Sequence, residues 1–136
     1  MAGFKQHGKF EAQLVGRIIV FKGTGPWNLE SMNAAADEFI ALTTPLYNKP
    51  WGMVGDFYGQ PVHVPEAAEK LVDIVKQEKL LGRVATGLVT VHCDVPAMAK
   101  QHLKTIYGQA GEPHQFFNST DEAIAWVNEQ ISAASS

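Results

Sequence analysis

An apolar, strand-like run is followed by a helix-start signal four times after residue 16, and this repeat constrains the fold more than any other feature of the chain. The four runs are residues 17–22, 51–58, 83–92 and 114–117. The helices after them are predicted to begin at Asn28, Pro65, Pro96 and Ser119. Parallel strands need a crossover between them, so strands that alternate with helices predict an α/β fold with a mostly parallel sheet and helices packed on it.

The segment before the first run predicts an antiparallel start to this sheet. Residues 8–14 have the pattern of a strand, and residues 15–16 form a tight turn into the next one. A link this short cannot hold a crossover, so the first strand must run against the others. We therefore expect one domain over residues 1–136, a mixed sheet of about five strands, about four helices, and a frayed tail at residues 132–136.

Composition and charge favour a soluble protein of a reducing compartment. The 136 residues are 46% hydrophobic and 18% charged, which is ordinary for a globular domain. The formal net charge of -3 argues against a nucleic-acid binder, whose binding face is usually basic. The single cysteine, Cys93, cannot form an internal disulfide, and no apolar run approaches the roughly 20 residues that span a bilayer. We predict a cytoplasmic protein.

Three stretches of the chain, together with the hairpin and the repeated helices and strands, resemble a known family. They are Gly-Pro-Trp-Asn at residues 25–28, Asp-Phe-Tyr-Gly at residues 56–59, and the segment 117–126 with its capping-box pattern at Ser119. The arrangement resembles the STAS-type fold and, more narrowly, the SpoIIAA-like family of small bacterial proteins. For this branch the resemblance implies a likeness to lipid-carrier folds, with an apolar cavity and contact with membranes.

The resemblance also implies what is missing. STAS relatives include anti-sigma-factor antagonists, which switch partners when a kinase phosphorylates a serine where the third strand meets its helix. At that place this chain has Asp-Phe-Tyr-Gly-Gln-Pro-Val-His, residues 56–63, without serine or threonine. The phosphorylation switch therefore does not carry over, and a STAS-type regulatory interaction module without this serine is the alternative function.

Ligands of parallel sheets bind outside the carboxyl ends of the strands, which directs attention to residues 23–28, 56–65, 92–96 and 117–119. An acid and two aromatic residues end the third strand at residues 56–58 and lead into a loop rich in glycine and proline that ends in His63. These residues either line a pocket or fill the core and cap a turn. Trp27 either belongs to the core or covers the same edge. The predicted ligand-binding residues are Trp27, Phe57, Tyr58, His63 and His92.

Other chemistries are less favoured by the residues present. Residues 23–28 lack the third glycine of a dinucleotide motif, and Asn28 fits an N-cap better. Cys93 is a poor nucleophile candidate because its neighbour His92 should point to the opposite face of the strand. A metal site from His63, His92 and Asp94 has none of the usual ligand spacings. We predict no catalytic residue, no metal and no cofactor.

These patterns and the family resemblance together predict a non-catalytic, SpoIIAA-like protein that binds a small apolar or amphipathic ligand at the carboxyl edge of the sheet, and the resemblance implies that this ligand is lipid-like. Apolar residues in the turn-rich segment 44–51 keep self-association into a homo-oligomer open. A protein partner and a membrane surface are the other partners that remain open, and nucleic acid is not expected.

Overall fold

The structure, a computed structural model, describes residues 10–135. Strands and helices follow one another in the predicted order. The strands are β1 Phe10–Val15, β2 Ile18–Trp27, β3 Trp51–His63, β4 Arg83–Cys93 and β5 His114–Phe117. The helices are α1 Leu29–Thr43, α2 Pro65–Lys79, α3 Pro96–Ala110 and α4 Thr120–Ser135, with a short 3-10 helix at Thr44–Leu46.

The strands form one five-stranded mixed sheet in the order β1-β2-β3-β4-β5, which confirms the predicted α/β architecture. β1 pairs antiparallel with β2, and the other neighbours are parallel. Each parallel strand is added on the same side of the preceding one, so crossovers of one hand place α1, α2 and α3 on the same face of the sheet. We call this the three-helix face, and the opposite face, covered by α4, the one-helix face.

Alternation along each strand distributes the apolar residues between these two faces. On β2, Phe21 packs into the core of the three-helix face and Val20 into that of the one-helix face. Glycines in the strands let α4 approach closely: a Cβ atom added at Gly87 would lie 2.9 Å from the Cβ of Ala123. The sheet is therefore buried on both sides over much of its width.

The helix starts agree with the capping signals in the sequence. Asn28 is the N-cap of α1, and its Oδ1 accepts a hydrogen bond of 2.8 Å from the N–H of Ser31. Ser119 precedes α4 and accepts a longer bond of 3.3 Å from the N–H of Glu122. α4 continues to Ser135, so the described part of the predicted frayed tail is helical.

Two strands are longer than the sequence predicted. β2 and β3 were expected to end at Lys22 and Tyr58, but they stay paired through Gly25 with Gly59 and Trp27 with His63. Residues 23–27 and 59–63, which were expected to lie in loops, are therefore strand. Glycine and proline are poor strand formers, but here each strand supplies the other's backbone partners, with a register shift between Gly25 and Trp27. The hairpin turn lies at residues 16–17 instead of 15–16, and residues 8–9 lie outside the described residues.

Candidate functional site

A largely apolar cavity of about 350 Å³ lies between α1, α2 and the three-helix face of the sheet. Aromatic rings from both layers line it: Phe21 and Phe57 pack edge to face with ring centroids 5.4 Å apart, and Phe39 of α1 meets Phe21 at 5.6 Å. The small residues Ala35 and Ala36 of α1 also line the cavity. A helix face with alanines opposite a sheet face of large rings leaves space that the surrounding side chains do not fill.

The cavity opens to the surface where α1 and α2 face each other. Ile40 of α1 lines the cavity and is 56% exposed, and Lys70 of α2 lines it and is half-buried. Lys70 Nζ donates a hydrogen bond of 2.7 Å to Asn33 Oδ1, which connects the two helices across this opening. A ligand could therefore reach the cavity without separation of the sheet.

Trp27 and His63 line the cavity at the carboxyl ends of β2 and β3. The two residues are register partners, and their rings stack with centroids 6.1 Å apart. Both side chains are buried, and the indole Nε1 of Trp27 has no hydrogen-bond partner within residues 10–135. The indole lies over Gly23, where any side chain would collide with it.

His63 is held by a second histidine, His102 of α3. The backbone N–H of His63 donates to His102 Nε2 at 2.9 Å, and the Nδ1 of His63 lies 3.3 Å from the same nitrogen. Burial, and then the nearby His102, lower the pKa of His63 to about 3. Burial also lowers the pKa of His102. Both imidazoles are therefore neutral at neutral pH.

A buried ion-pair network closes the end of the cavity opposite Trp27 and His63. The Arg83 guanidinium donates to Glu112 at 2.8 Å, to Glu78 at 2.6 Å and to Thr86 at 2.7 Å. Burial alone would lower the pKa of Arg83, but the carboxylates of Glu112 and Glu78 raise it above its ordinary value. The charges at this end are paired with one another, as buried charges must be.

The structure brings three of the five predicted site residues together and separates the other two. Trp27, Phe57 and His63 line the same cavity. Tyr58 and His92 stack on each other on the one-helix face, with ring centroids 4.7 Å apart and an interplanar angle of 5°. Tyr58 points away from Phe57 because neighbours on a strand alternate. The cavity runs beneath α1 and α2, so the carboxyl edge is one end of it and not its whole extent.

The separated pair belongs to a small polar cluster around Asp56. Tyr58 Oη donates to Asp56 Oδ2 at 3.1 Å, while Asp56 Oδ1 has no partner within the described residues. Asp56 is only 4% exposed, and burial raises the pKa of its carboxyl group, an effect that the Tyr58 hydrogen bond partly offsets. The cluster places a buried carboxyl group beneath a stacked tyrosine–histidine pair.

Cys93 as a nucleophile and a cluster of metal ligands were the other kinds of site considered. Cys93 is buried in the core of the three-helix face, and burial, with smaller contributions from Asp94 and Asp56, raises the pKa of its thiol to about 11. Within residues 10–135, no three His, Cys, Asp or Glu side chains are grouped so that they could hold a metal ion. In the same part of the chain, no helix has the length and apolar character to cross a membrane.

Several residues that line the cavity were not predicted as site residues. They come from α1 and α2 and include Met32, Ala35, Phe39, Leu71 and Ile74. The sequence contained a signal for three of them, because Met32, Phe39 and Leu71 recur with other apolar residues at the 3.6-residue period of a helix. A stripe of this kind predicts only that the helix face is covered, and not whether a space remains beneath it.

A second cleft, of about 370 Å³, lies between α3 and the ends of β4 and β5. Thr90, Lys100, Lys104 and Asn118 contribute to its polar lining. The Nζ atom of Lys100 lies 5.6 Å from the ring centroid of Phe116, a cation–π contact. This cleft is more polar than the cavity beneath α1 and α2.

Neither a protein-family model nor a curated protein sequence matches this chain. The resemblance to the SpoIIAA-like family therefore stays a prediction.

Proposed function

We propose that this protein is a non-catalytic, SpoIIAA-like protein that binds a small apolar or amphipathic ligand in the cavity beneath α1 and α2. The observation that supports the proposal is the cavity itself, bounded by aromatic and aliphatic side chains and open near Ile40. Ligand pockets commonly have volumes of roughly 300–1,000 Å³ with apolar walls and a few polar groups. The cavity has the size and lining of the smaller members of this class.

Burial of apolar surface provides the binding energy in this proposal. Each methylene group moved from water into the cavity contributes about 0.8 kcal/mol, before the cost of association is subtracted. The rings of Phe21, Phe39 and Phe57 provide close contacts for a chain or a flat ring. Lys70 lies at the opening, so its ammonium group is near the part of an amphipathic ligand that remains in water.

Extraction of the purified protein followed by mass spectrometry tests the proposal directly. We expect a small apolar or amphipathic molecule in a fixed ratio to the protein. Calorimetric titration of delipidated protein with 1-octanol should show saturable binding. A protein that co-purifies stoichiometrically, with no extractable small molecule and no octanol binding, would instead favour the alternative of a STAS-type interaction module.

Two matched substitutions on α1 locate the binding site. Ala35 is buried and lines the cavity, whereas Ala34 is on the same helix and is not part of the lining. Ala35→Leu should fill part of the cavity and weaken octanol binding at least several-fold. Ala34→Leu should bind as the wild type does. Equal octanol affinities of the two variants would show that the ligand binds elsewhere.

A further inference from the structure

The second cleft, between α3 and the ends of β4 and β5, carries positive charge in a chain that is acidic overall. The chain has a formal net charge of -3, yet Lys100 and Lys104 line the cleft, and no aspartate or glutamate among residues 10–135 does. In the same residues neither lysine forms an ion pair, whereas Arg83 of the first cavity is paired with Glu112. The two spaces share no lining residue, so the cleft is a separate site with unbalanced positive charge.

The start of α3 adds hydrogen-bond donors at one end of the cleft. Asn28 and Ser119 cap the starts of α1 and α4 with their side chains, but the N-cap of α3 is Val95, which has no side-chain acceptor. Pro96 has no N–H, so the N–H of Ala97, a residue of the cleft lining, is the first donor of an uncapped helix. These N–H groups and the dipole of α3 favour a negative charge at this end.

A buried threonine in the lining has a hydroxyl group without a partner. Thr90 is 2% exposed, lines the cleft, and makes no side-chain hydrogen bond within residues 10–135. The unpaired side-chain atoms that the protein encloses completely in this part of the chain are Trp27 Nε1, Glu38 Oε1 and Asp56 Oδ1. The Thr90 hydroxyl is not among them, so it is accessible from the cleft. A hydroxyl group in this position favours a ligand that supplies an acceptor.

An irregularity in β4 brings Thr90 to the cleft. Thr90 and Val91 together lie opposite the single residue Phe57 of β3, where the register of the two strands shifts. β5 ends at Phe117, which pairs with Val89, so the edge of β4 has no neighbouring strand from Thr90 onward. Bulges of this kind are common beside functional sites, where they redirect side chains.

Lys100 and Lys104 can act on the same anion. They are four residues apart in α3, so they lie on one face of the helix with one turn between them. Long side chains on a helix point back toward its N-terminus, so both ammonium groups are directed toward the uncapped start of α3. The cation–π contact of Lys100 with Phe116, at 5.6 Å, keeps the first of them beside the cleft.

We propose that this cleft binds the phosphate group of a phosphate monoester. The site is independent of the ligand proposed for the cavity beneath α1 and α2. The phosphate lies at the start of α3, where the Ala97 N–H and the Thr90 hydroxyl donate to its oxygens. Lys100 and Lys104 balance its charge. A phosphate dianion matches two cations and several donors, whereas a carboxylate has one charge and two oxygens.

Calorimetric titration with two aromatic esters tests the choice of phosphate. Phe116 and Phe117 line the cleft, so a phenyl group suits its apolar part. At neutral pH phenyl phosphate is mostly a dianion, and phenyl sulfate is a monoanion of nearly the same shape. We expect saturable binding of phenyl phosphate, about tenfold tighter than that of phenyl sulfate. Equal affinities for the two esters would overturn the phosphate assignment.

Vesicles distinguish a soluble ester from a lipid head group that presents the same phosphate. Flotation with phosphatidylcholine vesicles that contain phosphatidic acid is compared with flotation with phosphatidylcholine alone. Binding to the acidic vesicles that phenyl phosphate displaces would identify a lipid as the source of the phosphate. Binding of phenyl phosphate in solution, without binding to vesicles, would identify a soluble ester. Failure of phenyl phosphate both to bind in solution and to displace the protein from vesicles would overturn the proposal.

Substitutions locate the phosphate in the cleft. Lys104→Gln removes one charge from an exposed side chain and should weaken phenyl phosphate binding about fivefold. Thr90→Val keeps the shape of the side chain without its hydroxyl and should have an effect of similar size. Lys76→Gln makes the same charge change at an exposed position of α2 outside the lining and should leave the affinity unchanged. Equal losses in the two lysine variants would show attraction by net charge alone and would overturn the site.

Nuclear magnetic resonance of the wild-type protein gives a readout that does not depend on the folding of any variant. The amide resonance of Ala97 should shift on addition of phenyl phosphate and not on addition of 1-octanol. The amide resonance of Ala35, which lines the cavity, should respond in the opposite way. Phenyl phosphate that shifts Ala35 and not Ala97 would overturn the proposal. Because the two sites are read separately, failure of phosphate binding would leave the function proposed for the cavity intact.

Discussion

Trp27 and His63 are register partners at the ends of β2 and β3, and their rings stack with centroids 6.1 Å apart at an interplanar angle of 22°. This pairing exists because both strands extend past the glycines and prolines that were expected to end them. It places a buried indole N–H and a neutral imidazole at one end of a largely apolar cavity. The polar character of the site therefore comes from two neighbouring strand ends and not from a loop.

Acid should destabilise the protein through His63. The pKa of His63 falls from 6.5 in the unfolded chain to about 3 in the fold, so the unfolded state binds more protons between these values. The stability associated with the neutral ring is complete above pH 6.5 and is lost as the pH falls toward 3. Between pH 7 and pH 4.5 we expect a loss of about 2.5 kcal/mol from this residue, measured by urea denaturation.

A His63→Phe variant should lose most of this acid sensitivity, while Phe57→Leu, which changes the same cavity without a titratable group, should retain it. If His63→Phe and the wild type lost the same stability over this range, the buried neutral state of His63 would be disproved.

Asp56 should act in the opposite sense. Burial raises the pKa of its carboxyl group above the ordinary value of 3.8, so the folded state binds the proton more tightly than the unfolded state. The contribution of this group to stability is then present below pH 3.8 and is lost as the pH rises through the folded-state pKa. Asp56→Asn cannot ionise, so its stability relative to the wild type should improve as the pH rises from 4 toward the folded-state pKa of Asp56, and then stay constant, in denaturation experiments. A constant difference between the two proteins across this range would contradict the prediction.

Two glycine-to-alanine substitutions should have opposite effects. A Cβ atom at Gly23 would lie within 3 Å of the Trp27 ring, so Gly23→Ala should displace the indole and lower the melting temperature. Gly108 lies in α3, where an added Cβ meets nothing within 4 Å. Gly108→Ala should stabilise the helix by about 0.5–1 kcal/mol because alanine loses less backbone entropy on folding. Calorimetric melting of both variants checks the pair, and a stabilised Gly23→Ala variant would mean that the indole does not lie over Gly23.

The two helix caps should differ in strength. Asn28 accepts its hydrogen bond at 2.8 Å and its own backbone N–H donates to Ser31 Oγ at 2.9 Å, whereas Ser119 accepts at 3.3 Å and is exposed. Replacing either by alanine should cost about 1 kcal/mol, with the larger loss at Asn28. Chemical denaturation of the two variants measures both costs. A larger loss at Ser119 would mean that hydrogen-bond geometry does not control the strength of these caps.

Much of the architecture could be predicted from the sequence because its signals are local. Asn28 and Ser119 mark helix starts through hydrogen bonds to residues three positions away. The short link after β1 forces an antiparallel pair, and the crossover helices force parallel ones. Strand ends were predicted less well, because Gly25 and Gly59 are poor strand formers that remain paired through contact with each other.

The site could be predicted only in part, because contacts between residues distant in the sequence decide which side chains share the cavity. Aromatic residues and histidines near strand ends were recognisable, and three of the five predicted residues line the cavity. The separation of Tyr58 from Phe57 follows from strand alternation once the strand is known to continue. The position of His92 does not follow from alternation alone, because a register shift between Asp56 and Tyr58 brings it beside Tyr58.

The sequence by itself determined the order of helices and strands, the antiparallel start and the apolar faces, since these depend on periodicity, caps and link lengths within a few residues. Only the tertiary structure decided that α1 and α2 leave a cavity over the sheet, that Trp27 meets His63, and that His63 meets His102. These features depend on how distant surfaces close on one another. A hydrophobic stripe shows that a face is buried, but the space left beneath it depends on the shape of the surface that covers it.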